Sequence, residues 1–447
     1  MRYWCEQAWV ADRAVDGVVL TVDGGVITGV ESGVAAPPNG AVRLEGLTLP
    51  GFANVHSHAF HRALRGRTHG GGGTFWTWRD QMYRLAGSLD PDTYEELATA
   101  TFAEMLLAGY TVVGEFHYLH HGSGGVPYVD RNEIGHRMVR AAERAGIRIS
   151  LLDTCYLHGG IGQPLNDVQQ RFSDGTADAW AERVSALSSP GSGDRHRVGA
   201  AIHSVRAVDP AAIRYVAAWA AGSGAVLHAH VSEQPAENEA CEVVHGCTPV
   251  QLMARESALS RRFTAVHATH VADSDVGSLA RSGARVCICA TTERELADGI
   301  GPTAALSAAG VEICIGSDSH AVTDPFEETR AIELDERLAS QRRGTHHPAD
   351  LLRAASPNGY AALGWDGGAL ASGRLADLVT VSFDSPRLAG SDRTDAAAAI
   401  VFAASPADVR HVVVGGEHVV VDGIHQRLDV VAALDSSIRA AWQASER

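Results

Sequence analysis

The sequence predicts an α/β protein: a (β/α)8 barrel of the TIM type with a small β-sandwich domain built from both termini. Three observations predict it. Eight short apolar segments alternate with helical patterns in the middle of the chain, and strand-like runs with Gly-rich turns occupy both ends. The length of 447 residues suits one barrel with an accessory domain better than three domains in a row.

The apolar segments are the expected barrel strands. Helical patterns such as Pro91 to Ala108 and Asn132 to Ala145 separate most of them, as repeated βα units require. The segments run over 49–55, 111–116, 149–153, 198–202, 225–230, 263–267, 285–288 and 311–315. Because catalytic residues of such barrels gather beyond the C-terminal ends of the strands, polar residues at those positions are the candidate site residues.

The two ends of the chain have the pattern of a β domain. Gly17 to Val22 is an apolar run followed by a turn, and Gly415-Gly416 predicts a hairpin between two Val-rich segments. The Gly-rich segments 70–73 and 188–194 are predicted to be loops. The predicted domains are 1–49 together with 365–447 for the β domain, and 50–364 for the barrel.

The charge composition excludes several functions. All 37 basic residues are Arg, against 53 acidic residues, for a net charge of −16. Without Lys there is no Schiff-base catalysis, no Walker-type phosphate site and no carbamylated Lys to bridge two metals. The acidic balance argues against nucleic acid as a partner. No signal-peptide core and no membrane-length apolar run are present, so we expect a cytoplasmic protein.

The strongest local motif is His56-Ser57-His58, at the end of the first barrel strand. Alternate residues of a strand point to the same side, so both imidazoles can bind one ion. His230 ends the fifth strand and could be a third ligand, with His228 as the rival. Glu233 could act as general acid/base, or it could cap the following helix.

Two further residues complete an ordered set. His267 ends the sixth strand and could polarise the leaving group or the attacked carbon. Asp318 lies in a Gly-Ser-Asp turn after the eighth strand, where it could ligate the metal and accept a proton from the attacking water. Each residue is a weak signal alone, but all fall at strand ends of one barrel, which indicates a catalytic site.

This set resembles the amidohydrolase superfamily, whose barrels have an H-x-H pair, two later His and a late Asp. The missing Lys favours its single-metal deaminase branch, in which an H-x-x-E like His230 to Glu233 occurs. The resemblance implies one divalent metal ion, with Zn²⁺ the first expectation, on His56, His58, His230 and Asp318. It implies catalytic roles for Glu233, His267 and Asp318.

Longer segments resemble the formimidoylglutamate deiminase family within that superfamily. They are HSHAFHRALRG (56–66), FWTWRDQMY (75–83), GEFHYLHH (114–121), HSVRAV (203–208) and HAHVSEQ (228–234). The similarity covers essentially the whole chain. It implies hydrolysis of N-formimino-L-glutamate to N-formyl-L-glutamate and ammonia in histidine degradation, a small dicarboxylate as substrate, and a homodimer.

A dicarboxylate substrate gives several polar residues a purpose. Arg binds carboxylates through two parallel hydrogen bonds, and a Tyr hydroxyl can donate another. The residues that the resemblance places around the substrate are His61, Arg79, Tyr118, His203 and Arg206. Arg79 could instead be a solvent-exposed loop residue, and Tyr118 a packing residue. His61 replaces a Gln found in some family members, which leaves room for a related substrate.

The sequence is compatible with two other functions. Another deaminase on the same scaffold could act on a guanine-like or other amidine substrate, which an aromatic, uncharged pocket would favour. A catalytically silent barrel with an assembly role is the second alternative. Silent members usually lose metal ligands, whereas this sequence has the full set.

Overall fold

The computed structural model describes residues 1–69, 75–187 and 195–445; the predicted loops at 70–73 and 188–194 fall outside these ranges. The first strands are β1 (Arg2–Val10), β2 (Arg13–Asp23), β3 (Val26–Glu31) and β4 (Val42–Pro50). Then come β5 (Phe52–Ser57), β6 (Tyr110–His117), β7 (Arg148–Cys155), β8 (His196–Ile202), β9 (Leu227–Val231), β10 (Phe263–His267), β11 (Arg285–Ile288) and β12 (Ile313–Ile315). The last strands are β13 (Leu378–Val381), β14 (Val409–Val414), β15 (Glu417–Val421) and β16 (Ile424–His425).

Helices alternate with the barrel strands and continue beyond them. They are α1 (Phe75–Ser88), α2 (Pro91–Ala108), α3 (Glu133–Ala145), α4 (Ala177–Leu187), α5 (Pro210–Ser223), α6 (Pro235–His245), α7 (Pro249–Arg255), α8 (Asp273–Ser282), α9 (Ala290–Glu295), α10 (Thr303–Ala308), α11 (Pro325–Ser340), α12 (Pro348–Ala355), α13 (Pro357–Ala362), α14 (Ala396–Ala403) and α15 (Val430–Ser445). Among these described helices, none is both long and apolar enough to cross a bilayer.

Strands β5 to β12 form one eight-stranded sheet of parallel neighbours in chain order, which confirms the predicted barrel. Strands β5, β6 and β7 are buried along their whole length, as expected for strands covered on both faces. The predicted first strand, 49–55, is not one strand in the structure. It is divided at Gly51, where β4 ends and β5 begins. A Cβ at Gly51 would lie 2.1 Å from Oγ1 of Thr111, so only glycine fits this crossing.

The barrel closes through the residues of the candidate site. The amide of Asp318 donates to the carbonyl of His56 at 2.9 Å, and the amide of His58 donates to the carbonyl of Asp318 at 3.2 Å. A Cβ at Gly316 would lie 2.8 Å from Cβ of His56, so the turn after β12 needs glycine there. The backbone that closes the barrel therefore also brings Asp318 beside the H-x-H pair.

The second sheet is built from both chain ends, in the order β16-β15-β14-β13-β4-β1-β2-β3. Strand β4 joins the two ends, because it pairs in parallel with β1 and antiparallel with β13. The predicted hairpin at Gly415-Gly416 connects β14 and β15. Helix α15 was not predicted from the β-rich tail, and it packs against α1 and α2 of the barrel.

Candidate functional site

The predicted metal-binding and catalytic residues lie together at the C-terminal end of the barrel strands. His56 and His58 come from β5, His230 from β9 and His267 from β10, while Asp318 follows β12. The ring centroid of His56 lies 4.7 Å from that of His58 and 4.8 Å from that of His230. The structure thus brings residues more than 250 positions apart into one buried cluster.

Three of these imidazoles are held as neutral electron-pair donors. His58 donates through Nδ1 to the carbonyl of Phe116 at 3.1 Å, and His230 donates through Nδ1 to the carbonyl of His203 at 2.8 Å. Their Nε2 atoms therefore carry lone pairs that face the cluster. Burial lowers the pKa of His58 to about 3 and holds those of His56 and His230 well below the usual value.

Asp318 supplies an oxygen to the same point. Its Oδ1 lies 3.5 Å from Nε2 of His56 and 3.4 Å from Nε2 of His58, and the Nε2 atoms of His56 and His230 are 3.1 Å apart. Because Nδ1 of His56 has no hydrogen-bond partner among the described residues, His56 can carry its proton there and present the lone pair of Nε2 to a cation. Three imidazole nitrogens and one carboxylate are a donor set that fits a divalent cation such as zinc.

His267 differs from the other imidazoles. Burial alone would lower its pKa, but the bond from Nδ1 to Glu293 at 3.4 Å and the charges of Glu233 and Asp318 raise it to about 10. Its Nε2 lies 3.9 Å from Oε1 of Glu233 and 3.8 Å from Oδ2 of Asp318. His267 is therefore a hydrogen-bond donor placed between two carboxylates.

Backbone strain accompanies these side chains. Ser232, His267 and Asp318 have φ values of 54°, 72° and 43°, a region that residues with a Cβ rarely adopt. Such strain persists only where the surroundings enforce it, and it is concentrated at functional sites.

Glu233 does not cap the helix that follows it. Helix α6 begins after Gln234, which makes no side-chain cap. Oε2 of Glu233 instead accepts from Nη2 of Arg206 at 2.7 Å, and Nε of Arg206 lies 3.4 Å from Oε2 of Glu237. Arg206 was expected to face a substrate carboxylate, and in this structure it also orients the candidate acid/base.

Two carboxylates of the site, Glu237 and Glu293, were missed in the sequence. Glu293 lies in the first turn of α9 and contacts His267. It also accepts a hydrogen bond from the backbone amide of Cys289, just before the helix, at 3.0 Å. Burial raises the pKa of Glu237 to about 6, with Arg206 opposing this effect. Both lie in the first turns of helices after barrel strands, and that position is the signal that could have found them.

A cavity of about 290 Å³ opens beside the cluster. The predicted substrate residues His61, Arg79, Tyr118, His203 and Arg206 all line it. His61 contacts the hydroxyl of Tyr118 through Nε2 at 3.1 Å. Aromatic residues that were not predicted also line it: Trp78, Tyr83, Tyr156 and Phe172.

The sequence suggested that Arg79 lies in a loop, but the structure places it on helix α1. Its guanidinium carbon stands 5.4 Å from the ring centroid of Tyr83, one helical turn further on. It lines the cavity of its own chain.

Other histidines lie outside this cavity. His228 contacts the carbonyl of Ala362 at 3.0 Å in the core, as expected for a packing residue. His117 and His120 are buried near Asp153, at a spacing that could hold a cation. Arg183 already binds both oxygens of Asp153, at 2.7 and 2.8 Å, which makes this carboxylate a poor ligand.

Known proteins resemble the whole chain. The amidohydrolase family profile matches residues 47–419. Formimidoylglutamate deiminase of Pseudomonas aeruginosa is 40% identical over 401 residues, covering 87% of this chain and 88% of that protein. An amidohydrolase structure from Brucella melitensis has a TM-score of 0.90 at 30% identity and covers 99% of both chains. A zinc-bound adenosine deaminase from Xanthomonas campestris has a TM-score of 0.85 at 22% identity over 100% and 98% of the two chains, which shows a shared fold. The chain belongs to the amidohydrolase family.

Proposed function

We propose that the chain is a metal-dependent deiminase that hydrolyses N-formimino-L-glutamate to N-formyl-L-glutamate and ammonia. The observation that carries this proposal is one small cavity shared by the His/Asp/Glu cluster and by two Arg residues, Arg79 and Arg206. The substrate has a C=N carbon for the cluster and two carboxylates for the cations. The 40% identity to the Pseudomonas aeruginosa deiminase supports it.

In this proposal His56, His58, His230 and Asp318 hold one divalent cation, and Zn²⁺ is the first candidate. A bound divalent cation lowers the pKa of a coordinated water toward about 7, which makes hydroxide available at neutral pH. Imidazole and carboxylate also suit iron and manganese, so metal analysis of the purified protein decides the identity.

The side chains carry the protons of the reaction. Asp318 accepts one proton as the water oxygen bonds to the formimino carbon, and Glu233 gives a proton to the terminal nitrogen. His267 donates a hydrogen bond that steadies the tetrahedral adduct. The bond between carbon and the terminal nitrogen then breaks. Asp318 passes its proton to the leaving nitrogen, and the adduct hydroxyl gives its proton back to Glu233. The terminal nitrogen therefore leaves as ammonia, the oxygen stays as the formyl group, and both carboxyl groups return to their starting states.

The remaining lining residues bind and orient the substrate. Arg79 and Arg206 supply positive charge to a chain whose net charge of −16 repels a dianion at long range. His61, Tyr118 and His203 add hydrogen bonds around the same cavity. Because the Arg206 guanidinium also contacts Glu233, it couples substrate binding to the orientation of the proposed acid/base.

The direct test is ammonia release from N-formimino-L-glutamate, with N-formyl-L-glutamate identified as product. Formamide and glutamate would instead show cleavage on the other side of the carbon. Guanine and cytosine are the comparison substrates, since faster turnover of either would favour a deaminase of cyclic amidines. Stoichiometric metal in the purified protein argues against a silent barrel. A homodimer and a cytoplasmic location stay predictions.

A further inference from the structure

A buried glutamine joins two tyrosines of the cavity wall. Gln169 is 3% exposed and begins a short 3-10 turn, Gln169–Phe172. Its Nε2 lies 3.0 Å from the hydroxyl of Tyr83 and 2.9 Å from that of Tyr156. Tyr83 belongs to α1 and Tyr156 follows β7, so Gln169 connects two separate parts of the wall. The mechanism above uses none of these residues.

The backbone around Gln169 fixes the orientation of its amide. The N–H of Asn166 donates to Oε1 of Gln169 at 2.9 Å, and the carbonyl of Gly159 lies 3.3 Å from Nε2. A backbone N–H can only donate and a carbonyl can only accept, so these two contacts assign the oxygen and the nitrogen of the amide. The amide nitrogen has two N–H groups for these three oxygens, so at least one tyrosine hydroxyl accepts from it, and neither can donate to it.

This orientation leaves hydroxyl protons for the cavity. The amide nitrogen of Gln169 only donates, so neither tyrosine hydroxyl can use its proton on it, and both protons point elsewhere. Tyr83 and Tyr156 also contact each other, which can use one proton but not both. Among the described residues, neither hydroxyl donates to a carbonyl or a carboxylate. At least one proton therefore stays available to a ligand.

We propose that Gln169 is a positioning residue that orients the Tyr83 and Tyr156 hydroxyls as donors for a carboxylate of the substrate. The inference rests on the proposed function only for the identity of that substrate. Arg79 lies over the ring of Tyr83. Arg206 is close enough to Tyr156 for its positive charge to lower the pKa of the Tyr156 hydroxyl. Neutral and cationic donors thus stand side by side, and hydrogen bonds from either kind of donor to an ionised carboxylate are stronger than those between neutral groups. The ligand class is a short dicarboxylate.

The test measures binding of glutarate and of pentanoate, its monocarboxylate counterpart, to the metal-loaded full chain. Wild type should bind glutarate more tightly. In Tyr83→Phe plus Tyr156→Phe, Kd for glutarate should rise about tenfold or more, the loss expected for hydrogen bonds to a charged group. The Kd for pentanoate should rise less, so the preference for glutarate should shrink, while Arg79 and Arg206 retain part of it. Tyr215→Phe, on α5 and 42% exposed, is the matched control and should change nothing.

The ratio of the two Kd values separates this role from a loss of folding, because a damaged pocket weakens both ligands together. Gln169→Leu should lower the preference for glutarate in the wild-type background. It should add less than twofold in the background that lacks both hydroxyls, since Gln169 acts through them. Equal effects of Gln169→Leu in both backgrounds would overturn the positioning role.

A wild-type protein without preference for glutarate, or a double tyrosine variant with the same ratio of Kd values as wild type, would overturn the carboxylate subsite. These outcomes are distinct from failure of the proposed function. A protein that releases no ammonia from N-formimino-L-glutamate but prefers glutarate through its tyrosines would refute the reaction and keep the subsite.

Discussion

The two ends of the barrel bury polar groups in opposite ways. At the N-terminal end, Arg148 donates to both oxygens of Asp377 at 2.7 and 3.2 Å, and Asp377 also accepts from the hydroxyl of Tyr360 and the amide of Gly415. At the C-terminal end, imidazole nitrogens face each other, and Nδ1 of His56 has no hydrogen-bond partner among the described residues.

This difference separates a structural role from a functional one. The N-terminal ion pair joins the barrel strand β7 to the terminal sheet, and its charges are satisfied within the protein. The C-terminal cluster has strained backbone, and its imidazole nitrogens and carboxylate oxygen lie close enough together to hold one metal ion. We therefore expect substitutions at the first end to change stability and substitutions at the second to change activity.

The largest effect should come from Glu233→Gln. Because the amide cannot give and take the proton, turnover should fall by about 10³-fold. The metal should stay bound, since Glu233 is outside the proposed ligand set. Steady-state ammonia release and metal analysis check both points. Glu239→Gln, at an exposed position on helix α6, which follows Glu233, should keep full activity. Near-normal turnover of Glu233→Gln would contradict the proposed acid/base role.

The next effect should come from Asp377→Ala at the other end. It leaves the Arg148 guanidinium buried without its carboxylate, so the free energy of unfolding should fall by about 3–5 kcal/mol. Urea unfolding measures this loss, and kcat of the folded protein should stay close to wild type. Asp384→Ala, at an exposed position in the segment that follows β13, is the control. Lost activity at unchanged stability would contradict the division between the two ends.

The sequence could predict the site residues at the ends of the barrel strands, because each of them directly follows or ends an apolar strand that can be recognised by itself. His56, His230 and Asp318 were predicted in this way, and the structure places them together. The barrel strands followed from apolar runs, except where Gly51 divides one run between two sheets. The proposed roles of these residues stay predictions.

Contacts between separate loops could not be predicted. The pairing of Arg206 with Glu233, and of Gln169 with two tyrosines, depends on side chains that meet only after the barrel closes. No periodicity relates such positions along the chain. The same reason explains why Glu237 and Glu293 were missed.

The pH dependence of stability offers a third test, at Asp174. Burial opposes its charge, but bonds to His121 and Arg183 hold the pKa of this carboxyl well below its usual value. Its stabilisation is therefore complete above the unfolded pKa of about 3.9 and is lost as pH falls below that value. The wild type should lose about 1.4 kcal/mol of its unfolding free energy per pH unit there, relative to Asp174→Asn.

Urea unfolding of both proteins between pH 2.5 and pH 6 measures this difference. The gap between them should be constant at the upper end of the range and should narrow toward the lower end. A gap that widens in acid would contradict the assigned direction. Asp174 lies outside the cavity, so the metal content should not differ between the two proteins.

The smallest effect should come from a second ion pair that joins the same two parts of the molecule as Arg148 and Asp377. Arg353 on α12 lies 2.9 Å from Asp12 of the β1–β2 turn, but their side chains are 42% and 46% exposed. Water and salt screen such a pair, so a double-mutant cycle with Arg353→Ala and Asp12→Ala should give a coupling below about 0.5 kcal/mol. Arg353 also pairs with Asp350, and for this reason the coupling is measured and not the single loss. The two ion pairs have the same charges and differ in burial. A coupling above about 1 kcal/mol for the exposed pair would therefore show that burial is not what makes Asp377 important.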